Sequence, residues 1–346
     1  MDARTPTEPL VRPESLPGFA RDRLAVATCL VTGGAGFIGS HLVRALLACG
    51  SRVRVLDDLS TGHRHNLHPD AEFVQGRVED EATARRATDG CDLAFHLAAM
   101  VSVPQSVADP DACVRSNIVG TQRVLSACRD GGVRRAVLAS TCAVYGDEPS
   151  LPSREGDPTA CCSPYAASKL AGEALVQAMT RSTTPTSGGP TEPMSGVCLR
   201  FFNVFGPGQD PKSAYAAVIS AFASALLEGR TPTIFGDGRQ SRDFVFVGDV
   251  VRANLLAATS PEPFRGEVLN VGTGRSTSLL ELLAAMARLG DRPPQARHEP
   301  PRSGDVRHSR ADIARIRERL GYEPTTTLED GLRATLDAMR VAAGAA

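Results

Sequence analysis

The run Thr32-Gly33-Gly34-Ala35-Gly36-Phe37-Ile38-Gly39 follows an apolar stretch of strand length and opens a helical one. No other segment narrows the fold as far. A strand that turns on spaced glycines straight into a helix is the context that a dinucleotide pyrophosphate requires. Gly33 permits the tight turn, Gly36 lets the backbone approach the phosphates, and Gly39 allows helix and strand to pack closely. The amides around Phe37 and Ile38 then sit at a helix N-terminus. There the first N–H groups lack intrahelical partners and the helix dipole favours an anion.

The rest of the chain fits such a turn. Strand-length apolar runs are expected at Leu24–Thr32, Arg52–Leu56, Glu72–Gln75, Leu93–Leu97, Arg135–Ala139 and Gly196–Phe201. Helices are expected at Ser40–Cys49, Glu81–Asp89, Ile118–Arg129 and Tyr165–Arg181. This alternation predicts an α/β fold, a doubly wound parallel sheet covered by helices on both faces. Residues 182–195 break the rhythm with Thr, Pro, Gly and Ser and read as a surface loop. Beyond residue 204 prolines punctuate shorter elements. The expected division is a dinucleotide-binding domain over 25–200, with 243–273 returning to it, Asp243–Val251 and Glu267–Val271 to its main sheet. A smaller, discontinuous C-terminal substrate domain is expected over 201–242 and 274–340. Residues 1–24, rich in Pro, Arg and Glu, are expected to be a disordered extension.

Composition removes several classes of function. A formal net charge of −1 gives no electrostatic case for nucleic acid or a membrane surface as partner. No apolar run reaches the ~18 residues that a membrane helix needs. The nine cysteines are odd in number and form no C-x-x-C, which speaks against a disulfide framework or zinc and for a reducing, cytoplasmic setting. His63, His65 and His68 lie in one polar loop without an acid or Cys at ligand spacing, so no metal is expected there.

Asp57 ends the second strand, where a carboxylate accepts ribose hydroxyls and repels a 2′-phosphate; this favours NAD over NADP, and Asp58 is a second candidate for the role. His96-Leu97-Ala98-Ala99 ends the fourth strand with small residues suited to a wall against the dinucleotide, His96 itself reading as a structural histidine. Tyr165 and Lys169 are four apart on a helix and share a face. A Lys169 ammonium near the phenol is expected to lower the phenol's pKa, making Tyr165 a general base for a substrate hydroxyl. Thr141 follows the fifth strand, at the carboxyl edge where doubly wound sheets bind ligands.

TGGAGFIGS, the Ser140-Thr141-x-x-Val144-Tyr145-Gly146 run, PYAASK, RFFNVFGP and RDFVFVGDV occur in this order over residues 25–340. In this the chain resembles the extended short-chain dehydrogenase/reductase family, a Rossmann-type group acting on nucleotide sugars. Within it the chain looks most like bacterial UDP-N-acetylglucosamine and UDP-glucose 4-epimerases. The resemblance implies a bound NAD, with Gly33, Gly36, Phe37, Ile38, Gly39, Asp57, Asp58, Leu97, Ala98, Ala99, Asn117, Tyr165 and Lys169 around it. It implies catalysis by Thr141, Tyr165 and Lys169: proton removal from the sugar 4-hydroxyl, hydride passage from C4 to NAD⁺, rotation of the 4-keto sugar and return of the hydride to its other face. Ser102, Thr141, Asn203, Ala217, Val218, Arg242, Arg302, Asp305 and Ser309 are the implied contacts to a UDP-sugar. Ser309 stands at the position that sets pocket size, leaving room for an N-acetyl group. A homodimer through helices near Cys113–Arg129 and Tyr165–Arg181 is also implied.

Two positions separate neighbouring activities. Related sugar dehydratases and decarboxylases carry an acid before Val-Tyr-Gly; here Cys142 and Ala143 precede it, and Cys142 reads as a small packing residue. A UDP-glucuronate 4-epimerase remains an alternative, as do other NAD-dependent UDP-sugar enzymes; a non-enzymatic dinucleotide sensor would lack the Tyr165/Lys169 pair. One departure stands out. The family usually has Gly-Asp after the third strand, meeting the adenine amino group, where this chain has Gly76-Arg77.

Overall fold

The structure is a computed structural model and describes residues 8–182, 194–210, 218–301, 306–342 and 344. Its centre is a seven-stranded, wholly parallel sheet. The strands are β1 (Thr28–Thr32), β2 (Arg52–Asp57), β3 (Glu72–Gln75), β4 (Leu93–His96), β5 (Arg135–Thr141), β6 (Ser195–Phe201) and β7 (Arg265–Val271). They lie in the order β7-β6-β5-β4-β1-β2-β3. Chain order reverses between β1 and β4, and in such sheets that is where a crevice opens at the carboxyl edge. The strands are apolar almost throughout because both of their faces are covered.

The helices used below are α1 (Gly18–Ala25), α2 (Phe37–Ala48), α3 (Glu81–Thr88), α4 (Gly120–Asp130), α5 (Pro164–Arg181) and α6 (Val247–Thr259). One face of the sheet packs on α1, α2 and α6 through Leu24, Leu42, Leu46, Val250 and Leu255. The other packs on α3, α4 and α5 through Ala84, Val124, Leu125 and Val176. A third apolar cluster, with Phe205, Phe222, Phe246, Leu282 and Leu332, binds the helices Val218–Leu227, Leu279–Leu289 and Leu328–Ala342 into a smaller lobe.

Two expectations need correction. Residues 8–24 are not a disordered extension. They form a short 3-10 turn and α1, whose Ala20 and Leu24 are fully buried. Arg23 donates to the carbonyls of Thr259 and Ser260 at the end of α6, at 2.8 and 2.9 Å. A cation at carbonyls left over by a helix C-terminus is favourable, and polar composition hid the apolar stripe beneath. Leu24–Val26 accordingly belong outside the first strand. The stretch 243–251 also returns to the main body differently from expected. Phe244–Phe246 pairs with Asn203–Phe205 outside the main sheet, and the chain then continues as α6.

Candidate active site

The Gly-rich turn runs from the end of β1 to the start of α2. Gly33 adopts φ +72°, and a Cβ there would lie 2.8 Å from the Ala98 amide nitrogen. The ends of β1 and β4 therefore approach more closely than any side chain allows. A Cβ on Gly39 would meet the Gly33 carbonyl at 2.1 Å. Gly36 caps α2 with no side-chain hydrogen bond, leaving the amide end of the helix, through Phe37, Ile38 and Gly39, pointed at the crevice. This cradle fits a pyrophosphate. Asp57 closes its far side: its carboxylate accepts the Ala35 amide at 3.0 Å and the Leu59 amide at 2.8 Å. Burial pushes its pKa up, and the Leu59 and Ala35 bonds pull it back.

The neighbouring cations are committed elsewhere. Arg54 pairs with Glu72 at 2.8 Å and reaches carbonyls at the end of α3. Arg64 donates to Gln75 and lies over the Phe73 ring. Arg77, at the departure from the Gly-Asp pattern, stands 3.8 Å from Asp58 and 3.7 Å from Glu79. Asp58 is thus an ion-pair partner, and Asp57 is the carboxylate tied to the glycine turn.

A hydrogen-bond chain fixes the wall formed by Leu97, Ala98 and Ala99. The Ala98 amide donates to Thr32 Oγ1 at 3.2 Å, and Thr32 Oγ1 meets His96 Nδ1 at 2.7 Å. His96 Nε2 meets Thr121 Oγ1 at 3.0 Å, and that hydroxyl donates to the Asn117 carbonyl. The chain runs in one direction only with a neutral imidazole carrying its proton on Nε2. Burial lowers the His96 pKa to about 3, so the ring is structural. Asn117 binds Met100 twice, accepting its amide at 2.7 Å and donating to its carbonyl at 3.0 Å, and also donates to Ser168 Oγ at 2.9 Å. It shapes the cofactor wall through Met100.

Tyr165, Lys169 and Thr141 come together where α5 crosses the end of β5. Ser163 caps α5, and the Tyr165 amide donates to Ser106 Oγ at 3.1 Å. The Tyr165 phenol faces the Thr141 hydroxyl, whose Oγ1 accepts the Ala143 amide at 3.2 Å. The expected electrostatics are corrected here. Burial raises the Tyr165 pKa to about 12, against the pull of the Thr141 hydroxyl. Lys169 does not offset this; its ammonium donates to the Ala139 carbonyl at 3.0 Å. Its own pKa falls to about 8 through burial. The helical spacing is right, but desolvation outweighs the neighbouring charge.

The remaining implied contacts lie on other segments, most of them in or near the smaller lobe. Asp243 is fully buried and accepts from Thr273 N, Thr273 Oγ1, Gly274 N and Ala311 N at 2.6–3.1 Å. Its carbonyl accepts the Asn203 amide at 3.0 Å. Asp243 so joins three segments: its carboxylate ties Thr273 and Gly274 to Ala311, near Ser309, and its backbone carbonyl holds Asn203 beside Arg242. Asp243 was visible only as part of a motif, since its role requires three distant segments to meet. Arg242 donates to the Ser241 carbonyl at 2.9 Å. The Ser309 amide donates to the Ser241 carbonyl at 3.0 Å, and its hydroxyl contacts the Cys142 thiol. Burial raises the Cys142 pKa to about 11, keeping the thiol neutral. Ser309 thereby stands one residue from Thr141. Ser102 caps the helix Val103–Ala108 through Gln105, and Val218 begins the helix Val218–Leu227. Ala217, Arg302 and Asp305 lie outside the described residues. His63 and His65 stack at 5.0 Å, with Asp210 4.0 Å from His63. Among the described residues, no three His, Cys, Asp or Glu side chains gather as metal ligands.

Comparisons agree with this geometry. The model of the "NAD dependent epimerase/dehydratase family" matches residues 29–272. A UDP-glucose 4-epimerase of Mycolicibacterium smegmatis is 43% identical over 318 residues, covering 90% of this chain and 98% of that one. A solved UDP-N-acetylglucosamine 4-epimerase of Methanobrevibacter ruminantium, in complex with UDP-N-acetylmuramic acid, superposes with TM-score 0.84 at 36% identity, covering 91% and 99% of the two chains. A Thermus thermophilus UDP-glucose 4-epimerase in complex with NAD superposes with TM-score 0.80 at 37% identity, covering 90% and 99%.

Proposed function

The chain belongs to the NAD dependent epimerase/dehydratase family, and from that premise we propose that it interconverts UDP-hexoses epimeric at C4, UDP-GlcNAc/UDP-GalNAc and UDP-Glc/UDP-Gal being the pairs it accepts. The observation that carries this is the meeting of Tyr165 and Thr141 at the carboxyl edge of β5, beside a turn shaped for a dinucleotide. When bound, NAD supplies a reversible two-electron acceptor at the sugar carbon.

The chain's own groups do the rest. Thr141 holds the substrate oxygen next to the phenol. Tyr165 takes the proton of the 4-hydroxyl and gives it back. Lys169, donating to the Ala139 carbonyl, keeps a cation for the cofactor ribose. Phe37, Ile38 and Gly39 amides hold the pyrophosphate, and Asp57 accepts ribose hydroxyls. Asn203, Arg242 and, beyond the described residues, Arg302 and Asp305 hold the UDP moiety. Arg forks suit its phosphates. Cys142 and Ala143 supply no acid for loss of water from the sugar, which favours epimerisation over dehydration. Ser309, against Cys142, leaves space for an N-acetyl substituent.

The cofactor half spans 25–200 with 243–273, and the nucleotide-sugar half 201–242 with 274–340. We assign a homodimer to the layer holding Cys113–Arg129 and α5. Val107 and Val114 remain exposed there at 62% and 44%, and Ala167, Ala174 and Ala178 are exposed along α5. Light scattering of the purified protein tests it. No described helix is long and apolar enough to cross a membrane, in keeping with a cytoplasmic enzyme. The decisive experiment incubates the protein with UDP-GlcNAc, UDP-Glc and UDP-GlcA in turn, without added reductant, and separates the products. Interconversion of the first two is expected. Interconversion of UDP-GlcA alone would replace the substrate assignment, and conversion of none would end the epimerase reading.

A further inference from the structure

Tyr165, Lys169 and Glu173 lie at i, i+4 and i+8 on α5 and form one stripe along it. Each meets the end of β5: Tyr165 through Thr141, Lys169 through the Ala139 carbonyl at 3.0 Å, and Glu173 through Ser140, whose hydroxyl donates to it at 2.5 Å. Arg200, on the adjacent strand β6, grips the same carboxylate from the side. Its Nε donates to Oε1 at 2.8 Å and its Nη2 to Oε2 at 2.7 Å. Both side chains are almost wholly buried, with 4% and 3% of their surface exposed. The guanidinium rests on the Tyr145 ring, 4.8 Å from its centroid, and Tyr145 donates to Asn270 at 2.7 Å.

Stability alone does not account for this pair. Two charges removed from water recover their desolvation cost only with good geometry, and apolar residues of similar volume often serve as well. What apolar contacts do not supply is direction. Gly172 brings α5 close to β5, where a Cβ would stand 3.2 Å from Leu138 Cδ2. At that distance a smooth interface lets a helix slide or roll. A planar fork and a serine hydroxyl on one carboxylate permit a single register.

We propose that Glu173, held by Arg200 and Ser140, is a positioning residue that sets the register of α5 on β5 and so places Tyr165 against Thr141. The inference rests on the catalytic reading of Tyr165 above. It assigns no contact with substrate to Glu173.

The test uses the full chain. The double variant E173M/R200M replaces the pair by apolar residues and leaves no buried charge; R200K keeps the charge and loses the fork, and reads the same way should the double variant unfold. NAD content and thermal unfolding report the fold. Per NAD-loaded protomer, kcat is expected to fall about 10- to 100-fold in the double variant, with KM for UDP-glucose within about twofold, as a small misplacement of reacting groups does. The phenol titration of Tyr165 should shift as well. Absorbance isolates it by subtracting a Tyr165→Phe trace, because the chain has only four tyrosines. A double variant that keeps kcat within about twofold and leaves this titration unmoved overturns the proposal, whatever its melting temperature. Should the wild-type protein convert no UDP-sugar while the titration still shifts in the variant, the epimerase reading falls and the positioning role of Glu173 stands.

Discussion

The ammonium of Lys169 donates to the carbonyl of Ala139 at 3.0 Å, directed at the strand end rather than at the Tyr165 phenol one helical turn away. In the protein without cofactor the Tyr165 phenol is pushed up to about 12. A phenol with that pKa is no base near neutral pH. Oxidised NAD, held by the glycine turn and Asp57, would bring a positive nicotinamide ring to supply the missing charge, since an adjacent cation favours phenolate. Absorbance titration should therefore find a lower Tyr165 pKa in NAD-loaded protein than in stripped protein. Loading then releases a proton between the two values, so NAD should bind more tightly as pH rises through that window. Equal values in the two forms would leave Tyr165 without a means of activation.

Replacing Tyr165 with Phe removes the proton acceptor and keeps the ring. We expect kcat to fall about a hundredfold to ten-thousandfold, with NAD still bound, by product separation after incubation with UDP-glucose. A variant turning over at the wild-type rate would transfer the proton role elsewhere.

Ser309 touches the Cys142 thiol next to Thr141. A Ser309→Tyr side chain has to occupy space beside the sugar. Its kcat/KM for UDP-GlcNAc should drop on the order of tenfold to a hundredfold, while that for UDP-glucose changes much less. Parallel losses on both substrates would show that Ser309 lies off the N-acetyl side of the pocket.

Gly39 leaves no room for even a methyl group, which would meet the Gly33 carbonyl at 2.1 Å. Gly39→Ala should cost at least about 1–3 kcal/mol in unfolding free energy and lower the NAD content of purified protein. Normal stability with full NAD occupancy would mean that the turn can open without consequence.

Acid should weaken the fold through two buried imidazoles. His41 is buried; its Nε2 donates to the Pro207 carbonyl at 2.8 Å, and burial lowers its pKa from 6.5 to about 4. His96 is lowered to about 3. Below pH 6.5 the unfolded chain takes up protons that the folded chain refuses, so stability falls as pH drops and is independent of these rings above that range. The slope is at most about 1.4 kcal/mol per pH unit for each ring. Urea midpoints that stay level from about pH 7 to about pH 5 would contradict it.

Much of the site was legible along the chain because its parts are local. The glycine turn, Asp57 at a strand end and the Tyr165/Lys169 spacing are each set within a few residues by turn sterics and helical period. The corrections share another cause. Residues 8–24 look polar, yet Ala20 and Leu24 fill the core under α6, which only the neighbouring helix reveals. Arg77 is visible in sequence only as an absent acid; the fold gives it Asp58 and Glu79 as partners.

Sequence by itself determined that this chain turns a strand into a helix around a dinucleotide and carries a tyrosine and a lysine on one helical face. Tertiary structure decided what those groups can do. It turned Lys169 toward Ala139, set Tyr165 beside Thr141, joined Asp243 to three segments, and locked Glu173 onto Arg200 from a strand 27 residues away. Desolvation and ion pairing depend on which segments share a volume, and no spacing along a chain encodes that volume.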